Sequence, residues 1–270
     1  MSDTNAGGHA IARPAPALRS VAALAALELR LLGRRGENVL VALVVPIAVL
    51  LFFGGTPIGA GLGGAPLPDT RRALVPGTIA LAIVAAGLVN LGIATAYERS
   101  YGVLKRLGGA PLPRWGLFAA KAGALLVLEL VQVLVLVAVA AGVFGWAPGP
   151  GWSPILAVVA IVLGTLTFAA MGLVLAGTLR AEATLALANG LFLAFLMLGG
   201  LVVPVTGLPA FLQPVATVLP AAALADLLRI ALDSGAPVQP DASAPGAALV
   251  LLGAWAAAAA TLAIRFFRWD

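Results

Sequence analysis

Long apolar runs separated by short polar segments are the main feature of the sequence. An α-helix needs roughly 20 mostly apolar residues to cross the hydrocarbon of a bilayer. Six runs meet or approach this length, at residues 38–53, 73–97, 115–144, 154–179, 183–203 and 246–264. The pattern therefore predicts an all-α integral membrane protein with six transmembrane helices. The first run is the weakest, because a helix of about 16 residues reaches only ~24 Å and this one contains Pro46.

The segment before the first run follows a different pattern. When residues 17–35 are drawn as a helix, Arg19, Arg30 and Arg34 share one face and apolar side chains cover most of the remainder. This arrangement predicts an interfacial amphipathic helix with its arginines at the level of the lipid phosphates. Glu28 falls on the apolar side and departs from the pattern, and the alternative interpretation is a seventh, poor span. Residues 1–16 are polar and predict a disordered cytoplasmic tail, so residues 17–270 form the single predicted membrane domain.

Basic residues are distributed unequally between the two predicted sides of the membrane. Thirteen of the 16 Lys and Arg residues fall on the side that holds both termini, the 97–115 loop and the turn at Arg180. Since cytoplasmic segments are enriched in Lys and Arg, both termini are predicted to be cytoplasmic. We therefore expect the protein to lie in the plasma (inner) membrane. The same bias accounts for the net charge of +5 without a nucleic-acid partner.

Composition excludes several kinds of chemistry. Hydrophobic residues make up 61% of the chain and charged residues 10%, which disfavours both a disordered chain and an ordinary soluble enzyme. There is no cysteine, and the one histidine, His9, lies in the polar tail, so thiolate catalysis, histidine-based triads and Cys/His metal sites are excluded. A phosphate-binding loop requires a Gly-Lys pair. Lys105 follows a leucine and Lys121 an alanine, so ATP hydrolysis on this chain is not expected.

The loop between the second and third predicted spans reads YERSYGVLKRLGGAPLPRW over residues 97–115. It predicts a short charged helix with an apolar side, from Val103 to Leu107, and a basic side at Lys105 and Arg106. Glycines then end the helix, and Pro111 stiffens the return to the membrane. Periodicity alone favours a basic loop that only anchors topology.

Residues 98–112, Glu-Arg-x-x-Gly-x-Leu-Lys-Arg-Leu-x-x-x-Pro-Leu, resemble the coupling-helix signature of type-2 ABC exporter permeases. These are the membrane subunits of the daunorubicin-exporter and O-antigen-exporter kind. The amphipathic N-terminal helix, six spans and cytoplasmic termini match this family. Residues 207–214 resemble its Pro-rich segment, which forms re-entrant helices on the extracellular side before the last span. One departure is the apolar stretch 219–223 where the family has a polar and aromatic run.

The resemblance implies a non-catalytic permease subunit of an ATP-driven exporter for an amphiphilic or lipid-like substrate or drug. It implies a second permease copy, surrounding membrane lipids and a separate ABC ATPase subunit that holds ATP and Mg, with no cofactor or metal on this chain. The coupling helix would contact the ATPase, with apolar residues filling a groove and charged residues fixing register. The residues implied are Glu98, Arg99, Gly102, Val103, Leu104, Lys105, Arg106, Leu107 and Pro111.

Polar residues inside the spans are few. Glu129 and Gln132 are three residues apart and share a helix face in the third span. A carboxyl group at that depth is costly unless it is protonated, paired or hydrated. Two interpretations follow: a neutral acid hydrogen-bonded across a helix interface, or a proton site in a proton-coupled secondary transporter. Asn90 and Asn189, with Thr165 and Thr167, are predicted to bond between helices or to line the substrate pathway.

Two further patterns carry expectations about packing. Asp226, Arg229 and Asp233 are spaced i, i+3, i+7, which predicts a charged, solvated helix face. Glycines at positions 87 and 92 and at 172 and 177 predict close helix packing. A membrane assembly protein without an ATPase partner remains a further class compatible with these features.

Overall fold

The computed structural model describes residues 17–34, 36–58, 67–108, 114–235 and 245–267, and these ranges contain helices and no strand. The predicted tail, residues 1–16, lies outside the described residues. The helices are α1 (Ala17–Arg34), α2 (Gly36–Gly55), α3 (Leu67–Val84), α4 (Gly92–Ser100), α5 (Val103–Gly108), α6 (Arg114–Phe144), α7 (Pro154–Thr178), α8 (Ala181–Leu198), α9 (Gln213–Thr217), α10 (Pro220–Ala231) and α11 (Pro245–Phe266). A π-helical segment, Ala85–Leu91, joins α3 to α4. The prediction of an all-α membrane protein is confirmed.

Five helices in the described part of the chain are long and apolar enough to cross a membrane. They are Thr70–Ser100, Trp115–Phe144, Pro154–Thr178, Ala181–Leu198 and Pro245–Phe266. They correspond to the second to sixth predicted spans. The first predicted span is α2, whose described apolar part, Leu43–Gly55, is shorter than those five. The whole of α2 has 20 residues, about 30 Å of helix, so it is longer than the sequence pattern indicated.

Glycines bring the second and fourth predicted spans into direct contact. A Cβ added to Gly172 of α7 would lie 2.4 Å from the carbonyl oxygen of Gly87, and one added to Gly87 would lie 2.8 Å from the backbone nitrogen of Ala169. Gly92 meets Gly172 in the same way, with a Cβ 3.0 Å from its Cα. No larger residue fits at this crossing without moving the backbones apart. The predicted close packing is therefore confirmed, and it holds the π-helical segment against α7.

The short helices before α11 are inserted among the spans. α10 packs against α3, α7 and α11, and all of its residues except Ile230 are buried. The prediction of a solvated face is wrong for Asp226 and Arg229, which are buried. Arg229 Nη1 donates to Asp226 Oδ1 at 2.9 Å, and Nη2 donates to the carbonyl oxygen of Gly200. Asp226 and Arg229 pair at the i, i+3 spacing as predicted. The spacing implied that water surrounds this helix face, but in the structure α10 is packed among the spans.

Loop 145–153 closes the end of the bundle opposite α5, because α5 precedes α6 and this loop follows it. The end of α6 is capped by Gly145 (φ 64°). The N–H of Gly145 bonds to the carbonyl of Ala141, as in the αL capping motif, and the N–H of Trp146 bonds to the carbonyl of Ala140. Ser153 then caps α7 by accepting from the N–H of Leu156 at 3.3 Å. These caps fix Trp146 and its neighbours at that end of the bundle.

Candidate functional site: the coupling segment and the polar groups within the spans

The coupling segment, residues 98–108, consists of the end of α4, a tight turn and α5. The turn forms because Gly102 adopts a φ of 71°, a left-handed conformation that glycine accepts without strain. Its N–H bonds to the carbonyl of Arg99 at 2.9 Å. The sequence singled out Gly102 as a contact residue. In the structure it sets the direction in which α5 leaves α4.

Leu104 is turned inward. Its side chain is fully buried, and it packs in one cluster with Leu24 of α1 and Leu117 and Ala120 of α6. The predicted role of Leu104 in filling a groove on another protein is therefore corrected, because its apolar surface is covered within this chain. It attaches α5 to the start of α6 and to α1.

The outward-facing residues of the coupling segment are Ser100 and Tyr101, the latter 74% exposed, together with Val103 and Lys105. The side chains of Arg106 and Leu107, and Pro111 as a whole, lie outside the described residues. Within the described part, these four exposed side chains form the surface that another protein could contact.

A buried lysine connects three helices beneath the coupling segment. Nζ of Lys121 in α6 lies 2.8 Å from Oε1 of Glu28 in α1, and 2.8 Å from Oε2 of Glu98 in α4. The exposed fractions of the three side chains are 1%, 12% and 14% respectively. We call this group the Lys121 triad. Glu28 departed from the amphipathic pattern of α1 because its partner is this cation rather than water.

Two of the charged residues predicted to meet the ATPase, Glu98 and Arg99, have partners within the chain. Glu98 belongs to the Lys121 triad, and Arg99 donates from Nη2 to the carbonyl oxygen of Leu179, which follows α7. The sequence counted Lys121 only as a topology-setting charge. The signal that could have identified the triad was the combination of a lysine about two turns inside a span and a glutamate on the apolar face of α1. Together these bonds fix the end of α4 to α1, α6 and the end of α7.

The buried carboxyl of Glu129 lies between α6 and α7. Its Oε2 accepts a hydrogen bond from the hydroxyl of Thr165, which is also 2.8 Å from the carbonyl oxygen of Ile161. Oε1 of Glu129 and both side-chain amide atoms of Gln132 have no hydrogen-bond partner among the described residues. The predicted interhelical bond of Thr165 is confirmed, and it is the contact expected for an acid held at a helix interface.

Of the remaining polar residues of the spans, Thr167 makes the predicted contact between helices, whereas Asn90 and Asn189 do not. Asn90 and Asn189 are exposed on the surface of the chain, and Nδ2 of Asn189 donates to the carbonyl of Leu185 in its own helix at 2.9 Å. Their helix faces point away from this chain, so they do not bond between its helices. Thr167 is 2.7 Å from the carbonyl of Leu163 in its own helix and 3.4 Å from that of Leu252 in α11. Among the described residues, no three His, Cys, Asp or Glu side chains are grouped to hold a metal ion.

Five long apolar helices, an inserted buried helix and a short helix fixed across the start of a span define a multi-pass α-helical membrane protein. A family model described as ABC-2 type transporter matches residues 19–232, from α1 through α10. The chain therefore belongs to the ABC-2 type transporter family and is a permease subunit of such a transporter. Members of this family work with a separate ABC ATPase. A comparison with curated proteins gives no match.

Proposed function

We propose that this chain is the permease of an ATP-driven exporter for amphiphilic or lipid-like molecules, and that the coupling segment receives movement from a separate ATPase. The observation that carries the proposal is the attachment of α5. Leu104 anchors its apolar side to α1 and α6, while Tyr101, Val103 and Lys105 point outward. A short helix that is fixed on one side and exposed on the other suits the transfer of force between chains.

The path of the force follows from the contacts. Pressure on α5 acts directly on α6 through Leu104 and on α4 through the chain itself. The Lys121 triad joins both helices to α1, so the three are held together where the load enters. α6 has 31 residues and forms a rod of about 46 Å. Movement at its first turns would be carried toward the opposite end of the bundle as a rigid-body tilt.

The nature of the outer surface supports an amphiphilic substrate. α8 is largely exposed on this chain, and its exposed side chains include Leu187, Leu193 and Met197 beside Asn189. An apolar surface with isolated amide groups suits a molecule with a long apolar part better than a compact ion. In this proposal two permease copies enclose the pathway, ATP and Mg are held by the partner, and the coupling segment and both termini are cytoplasmic in the plasma (inner) membrane.

The proposal is tested by charge reversal at the coupling segment. The complex with its ATPase would be reconstituted in proteoliposomes carrying Lys105→Glu. A matched control is Arg180→Glu, since Arg180 is also an exposed basic residue and lies next to the Leu179 carbonyl that binds Arg99. We expect the Lys105 variant to lose at least about fivefold of its substrate-stimulated ATP hydrolysis, because charge complementarity would be reversed. Normal stimulation in the Lys105 variant would contradict the coupling role.

A proton-coupled secondary transporter is the second candidate. The observation that favours it is the group of unpartnered polar atoms at Glu129 and Gln132 inside a span. This candidate predicts that a protonophore abolishes transport while ATP is present. The ATP-driven proposal predicts transport that continues under the same conditions and stops when ATP is removed.

A further inference from the structure

A cavity of about 590 Å³ lies at the end of the bundle opposite α5. Its wall is formed by the start of α3, the end of α6, loop 145–150 and residues 233–235 after α10. The cationic side chains in this wall are Arg71 and Arg72, and the carboxylate is Asp233. The cavity is therefore far from the coupling segment and has its own charged groups.

Arg71 is held in place before any ligand binds. Its Nε donates to the carbonyl oxygen of Gly54 at 2.8 Å, and its guanidinium carbon lies 4.9 Å from the centre of the Phe144 ring. These contacts use one N–H and one face of the guanidinium group. The two terminal nitrogens make no hydrogen bond or ion pair with the described residues. A fixed guanidinium with free donors is suited to binding an oxyanion.

The remaining groups of the wall include one further cation, one carboxylate and one free donor. Arg72 is exposed and forms no ion pair with a described residue. Oδ2 of Asp233 already accepts a hydrogen bond from the N–H of Gly151 at 2.9 Å. Trp146 is only 7% exposed, and its indole N–H has no partner among the described residues. The wall therefore combines two cations and one carboxylate, an excess of one positive charge, with the ring surfaces of Phe144 and Trp146.

The position of the cavity indicates the kind of molecule that it would meet. It lies where α3 begins and α6 ends, beside exposed apolar residues such as Val143 and Trp152. Tryptophan and arginine at the ends of spans are typical of the boundary between hydrocarbon and head groups. We propose that this cavity binds the phosphate of an anionic membrane amphiphile, with Arg71 and Arg72 contacting the phosphate oxygens. The proposal goes beyond ATP-driven export, because such binding requires neither ATP nor a partner chain.

The test measures binding to the purified full chain in a neutral detergent by isothermal titration calorimetry. The probes are dihexanoyl phosphatidic acid, inorganic phosphate and the zwitterionic dihexanoyl phosphatidylcholine. We expect phosphatidic acid to bind, and Arg71→Gln and Arg72→Gln each to weaken it by about tenfold, since each removes a charged hydrogen bond. Arg180→Gln, at the opposite end of the bundle, is the matched control and should leave binding unchanged.

The outcomes decide whether the cavity binds a phosphate group and whether that group comes from a membrane lipid or a free anion. Arginine-dependent binding of phosphatidic acid without phosphate binding supports a membrane lipid as the source, and binding of both supports a site that also takes a free anion. Equal binding of phosphatidic acid and phosphatidylcholine, unchanged in the arginine variants, would overturn the proposal, as would no binding of phosphatidic acid. If Arg71→Gln fails to fold, Arg72→Gln keeps the test decisive, because Arg72 is exposed and makes no contact that folding requires.

Discussion

Replacing Lys121 with methionine removes the cation that two carboxylates share. Glu28 and Glu98 would then remain close together in a site where their side chains are only 12% and 14% exposed. Breaking a buried ion pair by removing one partner typically costs about 3–5 kcal/mol. Because water reaches both glutamates in part, we expect the lower end of that range, a loss of about 3 kcal/mol in the free energy of unfolding.

The measurement is denaturant unfolding of the full chain in detergent. Lys105→Met is the matched control, since Lys105 is exposed and close in sequence; a surface change of this kind should stay within about 0.5 kcal/mol. A triple variant, with Glu28→Gln and Glu98→Gln added to Lys121→Met, should recover most of the loss because no uncompensated charge remains.

Two results would refute this account of the Lys121 triad. The first is a Lys121→Met chain that unfolds within about 0.5 kcal/mol of the wild type, as the control should. The second is a triple variant that is as unstable as Lys121→Met alone, because the loss would then come from packing of the lysine stem and not from the two carboxylates.

Three further predictions concern the spans and the inserted helix. Arg229→Met should lower the free energy of unfolding by about 3 kcal/mol or more, measured in the same assay, because it removes the buried cation facing a buried carboxylate; a loss below about 1 kcal/mol would contradict that. Gly172→Ala should destabilise by about 1–3 kcal/mol, since its Cβ would lie 2.4 Å from a backbone oxygen, whereas Gly190→Ala, with nothing within 4 Å of its Cβ, should not destabilise. Glu129→Gln keeps an acceptor for the threonine hydroxyl, so ATP-driven transport in proteoliposomes should remain largely intact; complete loss with normal assembly would favour a proton site.

The spans could be predicted from the sequence because a membrane helix is defined by length and apolarity alone. The third predicted span, residues 115–144, coincides with Trp115–Phe144 in the structure. The close crossing at Gly87 and Gly172 could also be predicted from the sequence, since the spacing of glycines indicates how near two helix backbones can come. These features depend on local composition and not on which element packs against which.

The partners of charged and amphipathic residues could not be predicted in the same way. Periodicity shows that Glu28 interrupts an apolar face and that Leu104 belongs to one, but it does not show whether lipid, water or another helix covers that face. Likewise, the spacing of Asp226 and Arg229 gives a pairing geometry that is the same in water and in a buried helix. Only the tertiary arrangement assigns Leu104 to the chain's own interior and α10 to a place among the spans.

The contact between the coupling segment and an ATPase is the central claim, and photocrosslinking in the native membrane tests it most directly. p-Benzoylphenylalanine would replace Tyr101, which is 74% exposed at the coupling segment, and, as the control, Ile155, which is 78% exposed at the opposite end of the bundle. We predict that position 101 crosslinks to an ATP-binding chain that carries a phosphate-binding loop, as identified by mass spectrometry, and that position 155 does not. Absence of that chain at position 101, or its capture at position 155, would contradict the account.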